Sequence, residues 1–215
     1  MPLYTPDIEV KPYDHLVFFT STNSPPSSKT PNDASGGFIP WSTKFARINP
    51  NSLRVPIACD VPMDKRLENL LGHVRKFPAP KMSYTFFCHG WATAIQHGLR
   101  TKHFLLPEVV ALFSRVPFIN LYACLTAQDK QNGFAATIAR TTKAQVLAHA
   151  TTGAANTNPY VVIFKDGKIW QANEKKGRDW YAWKLKLKTD TPYLYRDMWA
   201  SFHHPDSPPL PKGVA

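Results

Sequence analysis

Two short apolar runs end on side chains capable of covalent chemistry. Tyr84-Thr85-Phe86-Phe87-Cys88-His89-Gly90 delivers an imidazole, and Pro117-Phe118-Ile119-Asn120-Leu121-Tyr122-Ala123-Cys124 delivers a thiol. A thiol becomes an effective nucleophile when a nearby base or cation raises its thiolate fraction, and an imidazole within hydrogen-bond reach fills either role. On this reading His89 is the acid and base and Cys124 the nucleophile. Gly90 adds a second element: with no side chain it lets a substrate approach the main chain, and its N–H with that of Cys124 offers two donors to a developing oxyanion.

Both runs read as buried strands, because short apolar stretches rich in aromatic and branched residues suit the interior of a parallel sheet better than a helix. Open α/β sheets bind ligands outside the carboxyl ends of their strands, so adjacent strands would bring His89 and Cys124 to one edge. The 35-residue separation between positions 89 and 124 accommodates a loop, a helix and a strand, as a crossover between parallel neighbours requires. Side chains alternate along a strand, which sends Cys88 to the face opposite His89 and into the core. Cys59 carries no partner signal.

The flanking pattern supports an α/β fold. His15 to Thr20 reads as a first strand beside these two, and positions 21–37, rich in Ser, Pro, Asn and Gly, as a mobile loop. Prolines at 40, 50, 56 and 62 argue against a helix in 38–62 and leave room for short strands such as Leu53 to Ala58. Met63 to Lys76 sets Leu67, Leu70, Leu71 and Val74 at helical spacing with Asp64 in the first turn. Lys102 to Arg115 and Gly133 to Thr142 read as crossover helices, and Gln145 to Ala150 as the next strand. Pro159 to Phe164 and Lys168 to Ala172 flank Lys165-Asp166-Gly167 as a hairpin. The expectation is a single domain over 1–215: a three-layer α/β fold with a mainly parallel central sheet flanked by helices, a C-terminal β-hairpin, and a proline-rich tail over 203–215.

At the two strand ends the chain resembles the caspase-like (clan CD) cysteine peptidases, the group that includes caspases, gingipains, clostripain and separase. That group sets a His-Gly at the end of one strand and an Ala-Cys at the end of the next, as His89-Gly90 and Ala123-Cys124 stand here, with the histidine first in the chain. The resemblance spans roughly Tyr84 to Phe164 and implies peptide-bond hydrolysis through a His89/Cys124 dyad and an acyl-enzyme, without cofactor or metal. The chain departs from the caspase signature Gln-Ala-Cys-x-Gly, since Tyr122 precedes Ala123 and Thr126 stands at the glycine position, and the His-to-Cys separation is shorter than the ~50 residues of caspases. No preference for a particular substrate residue follows. His149, before Thr151-Thr152-Gly153, and Asn156 are candidates for the substrate cleft.

Three other classes compete. The run Phe86-Phe87-Cys88-His89-Gly90-Trp91 is close to the oxyanion loop of α/β-hydrolases, yet no Gly-x-Ser-x-Gly or Gly-x-Cys-x-Gly elbow follows, and Tyr122-Ala123-Cys124-Leu125-Thr126 lacks both glycines. A catalytically inactive caspase-like module would keep the fold and bind without cleaving. A nucleic-acid-binding protein would use the basic C-terminal region, where Lys165, Lys168, Lys175, Lys176, Arg178, Lys184, Lys186 and Lys188 interleave with Trp170, Trp180, Tyr181 and Trp183. Twenty-six basic against fifteen acidic residues give a net charge of +11, which draws acidic partners or nucleic acid alongside the expected peptide substrate. Three widely spaced cysteines argue against a disulfide framework. His89, His97, His103 and Cys88 lack a metal-ligand spacing. No apolar run approaches the ~18 residues of a membrane span and no secretory signal opens the chain, so a cytoplasmic setting, or delivery by a specialised secretion route, is expected.

Overall fold

The structure is a computed structural model and describes residues 13–22, 37–152 and 161–172. Its centre is a seven-stranded sheet. In chain order the elements are β1 (His15–Thr22), α1 (Ile39–Ile48), β2 (Ser52–Ala58), α2 (Met63–Lys76), β3 (Ser83–Phe87), β4 (Gly90–Trp91), β5 (Ala94–Ile95), α3 (Pro107–Phe113), β6 (Phe118–Tyr122), α4 (Phe134–Thr142), β7 (Gln145–His149), β8 (Val161–Lys165) and β9 (Lys168–Ala172). The sheet runs β2-β1-β3-β6-β7-β8-β9, and β4 and β5 form a separate two-stranded hairpin. Strands β2, β1, β3, β6 and β7 are parallel, whereas β8 and β9 are antiparallel to their neighbours.

The chain steps one way from β1 to β2 and then reverses through β3, β6 and β7. Helices follow that reversal. Phe38 and Phe45, at and within α1, pack with Val17, Phe19, Phe87 and Tyr122 on one face, while Leu70 and Val74 of α2, Val109 and Phe113 of α3, and Phe134 and Ile138 of α4 pack on the other. A strand-order reversal opens a crevice at the carboxyl ends of the strands beside it, here β1 and β3. Fully buried Phe18, Phe86, Phe104, Phe113 and Phe134 fill the helix-rich face, each worth roughly 2–3 kcal/mol of burial. Four buried polar side chains also share the α1 side of the sheet. His15 Nδ1 meets Ser83 Oγ at 3.0 Å, Ser83 Oγ meets Thr85 Oγ1 at 2.9 Å, and Asn120 Nδ2 donates to Thr85 Oγ1 at 3.1 Å.

Three local readings of the sequence change. Residues 39–48 are helical, against the expectation from proline frequency, because Pro40 occupies the first turn, where a main-chain N–H has no partner to lose. Pro56 is tolerated in β2 because that strand is at the sheet edge. Lys102 to Arg115 is not one helix but a 3₁₀ segment, Thr101–Leu105, followed by α3, since Pro107 can begin a helix but not continue one. The expected loop over 21–37 begins inside β1, which extends to Thr22; positions 23–36 of it, Asn156, the cationic and aromatic side chains beyond Ala172 and the 203–215 tail lie outside the described residues.

Candidate active site

β3 and β6 are adjacent, and their register sets Phe87 beside Tyr122. The two rings stack at 4.7 Å and 9° on the α1 face. His89 lies two residues past β3 with its ring against Phe38 of that face, and Cys124 lies in the turn two residues past β6. The turn between them is equally constrained. A Cβ on Gly90 would lie 2.5 Å from the Cys124 carbonyl oxygen, 2.8 Å from Ala123 Cβ and 2.9 Å from Thr126 Cγ2. The absent side chain therefore serves the chain's own backbone: the space on the Cβ side of Gly90 is occupied by residues 123–126.

His89 is held by its main chain. Its N–H donates to Gln96 Oε1 at 3.2 Å, and its carbonyl accepts from the Gln96 N–H at 2.9 Å. The latter bond makes Gly90 and Ile95 a non-hydrogen-bonded antiparallel pair, so the Gly90 N–H takes no part in the β4–β5 ladder. The half-buried His89 ring meets the edge of Phe38 at 5.0 Å. Trp91, the next side chain on the His89 side of the hairpin, is 45% exposed.

Behind Gln96 lies a buried polar group whose protons can be assigned. Gln96 Oε1 already accepts from His89, so Thr20 Oγ1, 3.0 Å away, donates to it as well. With its only proton so used, Thr20 Oγ1 accepts from His97 Nε2 at 3.1 Å, which fixes the Nε2–H tautomer of His97. Burial, seconded by the charge of Arg66, pushes the His97 pKa down to about 3. The ring is neutral at physiological pH. Arg66 also donates to the carbonyls of Val61 (2.7 Å) and Gln96 (3.3 Å), tying α2 to this loop.

Cys124 is partly exposed. The loop after it is pinned on three sides: Leu125 N–H donates to Thr151 O (3.3 Å), Ala127 N–H to His149 O (2.9 Å), and Ala135 N–H, in the first turn of α4, to Thr126 O (3.2 Å). Leu125 has φ +59°, a left-handed conformation that a branched side chain seldom adopts and that surrounding contacts must enforce. His149 ends β7 with 1% exposure, its ring 6.2 Å from that of Tyr122. Cys88 and Cys59 lie in the helix-rich core, and burial raises both thiol pKa values, that of Cys88 far above its usual range. All three cysteines are free. No three His, Cys, Asp or Glu side chains converge as a metal site among the described residues.

No protein-family model matches the chain, nor does any curated protein or solved structure. The site must be judged on its own geometry. It holds an imidazole and a partly exposed thiol past adjacent parallel strands, with a main-chain N–H outside its ladder between them. Sequence reasoning missed Thr20 and Gln96 entirely. Neither belongs to a recognisable spacing, and only the folding of residues 89–100 back on itself brings Gln96 against His89.

Proposed function

We propose that the protein is a cysteine hydrolase of the caspase-like kind that cleaves peptide bonds through His89 and Cys124. The observation that carries this reading is the register of β3 with β6, which brings the segments bearing His89 and Cys124 out at neighbouring strand ends beside the Phe87–Tyr122 stack. The Cys124 thiol transfers its proton to the His89 imidazole, and the thiolate sulfur bonds to the substrate carbonyl carbon. The oxygen becomes an oxyanion, received by the N–H groups of Gly90 and Cys124. As the C–N bond breaks, His89 returns the proton to the departing amine. Water, deprotonated by His89, then attacks the thioester and regenerates the thiol. Gln96, which grips both main-chain polar groups of His89, is a positioning residue for this sequence of steps.

A peptide-library digest by the full chain tests the reading. Wild type yields new amino termini, while Cys124→Ala and His89→Ala, each folded as judged by circular dichroism, lose at least ~10³-fold in rate. Cleavage that persists undiminished in Cys124→Ala overturns the assignment.

A further inference from the structure

On the helix-rich side of the sheet, the start of α2 and the loop after β5 line a half-open pocket of about 150 Å³. Met63 and Leu67 form its apolar wall, and Arg100, Lys102 and His103 its cationic one. Gly98 sets its shape: with φ +96° and a prospective Cβ only 2.6 Å from both Leu67 N and Met63 O, it lays the loop directly on α2. The only acid on the wall is Asp64.

The positive charge here is only partly offset, by Asp64, within the described residues. Arg100 and Lys102 take part in no ion pair among them, while Lys65 and Glu68 farther round α2 pair at 2.8 Å. His103 Nδ1 accepts the Arg100 main-chain N–H at 3.1 Å, so its proton is on Nε2 and can be donated. Burial lowers the His103 pKa, and the charges of Lys102 and Arg100 lower it further, so the field at the ring is that of its cationic neighbours. The first turn of the 14-residue α2 contributes its positive dipole end to the same space.

We propose that this cavity binds a small phosphate monoester, with its oxyanion on Arg100, Lys102 and His103 and a short apolar substituent against Met63 and Leu67. Charge favours phosphate. Two fixed cations against Asp64 leave a net positive wall, and a dianionic phosphate that draws a proton onto His103 uses more of it than a carboxylate would. Size favours a short substituent. At about 150 Å³ the pocket is well below the ~300 Å³ at which drug-sized ligands begin.

The test follows the His103 imidazole signals of the full chain by NMR during titration with inorganic phosphate, butyl phosphate and chloride at constant ionic strength. The expected result is a saturable shift with both phosphates, a His103 titration moved to higher pH when ligand is bound, and butyl phosphate tighter by about fourfold for each methylene buried. Arg100→Gln/Lys102→Gln, and the single Lys102→Gln at an exposed position, weaken phosphate binding, the double variant at least tenfold. An equal response to chloride, or unchanged affinity in the double variant, overturns the site. Inorganic phosphate binding as tightly as butyl phosphate removes the monoester and leaves a free-anion site, which also defeats the proposal.

Discussion

Cys88 and Cys124 stand at the ends of neighbouring strands, one residue beyond β3 and two beyond β6. The odd offset turns Cys88 toward α2, α3 and α4, where it is 1% exposed among apolar side chains. Cys124, in the turn after β6, stays partly exposed. One thiol is thus packed in the core while the other is open in part to solvent. The faces differ in kind as well: the helix-rich face closes over a large apolar cluster, while the α1 face carries the His15, Ser83, Thr85 and Asn120 polar row beneath its candidate site.

The sharpest way to break that contrast is chemical. Iodoacetamide applied to the native protein at pH 7 and read by mass spectrometry is expected to label Cys124 at least ~10³ times faster than Cys88 or Cys59, because the buried thiols must first be exposed by opening of the core. In denaturant the three rates converge. Comparable native rates at Cys88 and Cys124 would show that the two faces do not differ as described.

Acid probes the buried histidines on the two sides. Burial pushes the His15 pKa down to about 4, against a smaller opposing effect of Asp14, and that of His97 down to about 3. In the unfolded chain both return to ~6.5. The unfolded state therefore binds more protons over the interval between, and stability that is complete above pH ~6.5 is lost progressively as pH falls toward 4 and then 3. Urea unfolding at pH 7, 5 and 4 is expected to show a loss on the order of 5 kcal/mol from the pair. His97→Gln should flatten roughly half of that slope, and an unchanged slope would mean that His97 is already protonated in the folded protein.

How far the sequence carries this picture depends on which force fixed each element. The strands ending near His89 and Cys124, α2 with its Leu67, Leu70, Leu71 and Val74 stripe, and α4 are set by hydrophobic periodicity, which is local and therefore legible. The helix at 39–48 is not legible from proline frequency, because a proline in the first turn leaves a helix intact. The β4–β5 hairpin escaped notice because its strands are two residues long, too short for any period to show. Thr20 and Gln96 were beyond reach for a different reason. Their bond spans 76 residues and depends on Gln96 Oε1 also receiving the His89 N–H, so nothing local announces it.

Gly90 and Gly72 turn the comparison into a pair of identical substitutions with opposite signs. A methyl at Gly90 would meet the Cys124 carbonyl at 2.5 Å and must push apart the two segments that place His89 and Cys124. Gly90→Ala is expected to cost about 3 kcal/mol by overpacking and to lower hydrolysis at least ~10²-fold, since small misplacements of reacting groups carry penalties of that size. Gly72 lies in the exposed middle of α2 with nothing within 4 Å of a prospective Cβ. There the methyl costs no contact and removes the conformational freedom that disfavours glycine in a helix, so Gly72→Ala should add about 0.5–1 kcal/mol to unfolding and leave alkylation of Cys124 unchanged. Urea melts of the two variants, run beside wild type, measure both signs at once. A Gly90→Ala protein as stable and as active as Gly72→Ala would mean that the contact between residues 90 and 123–126 does not hold the two strand ends in place.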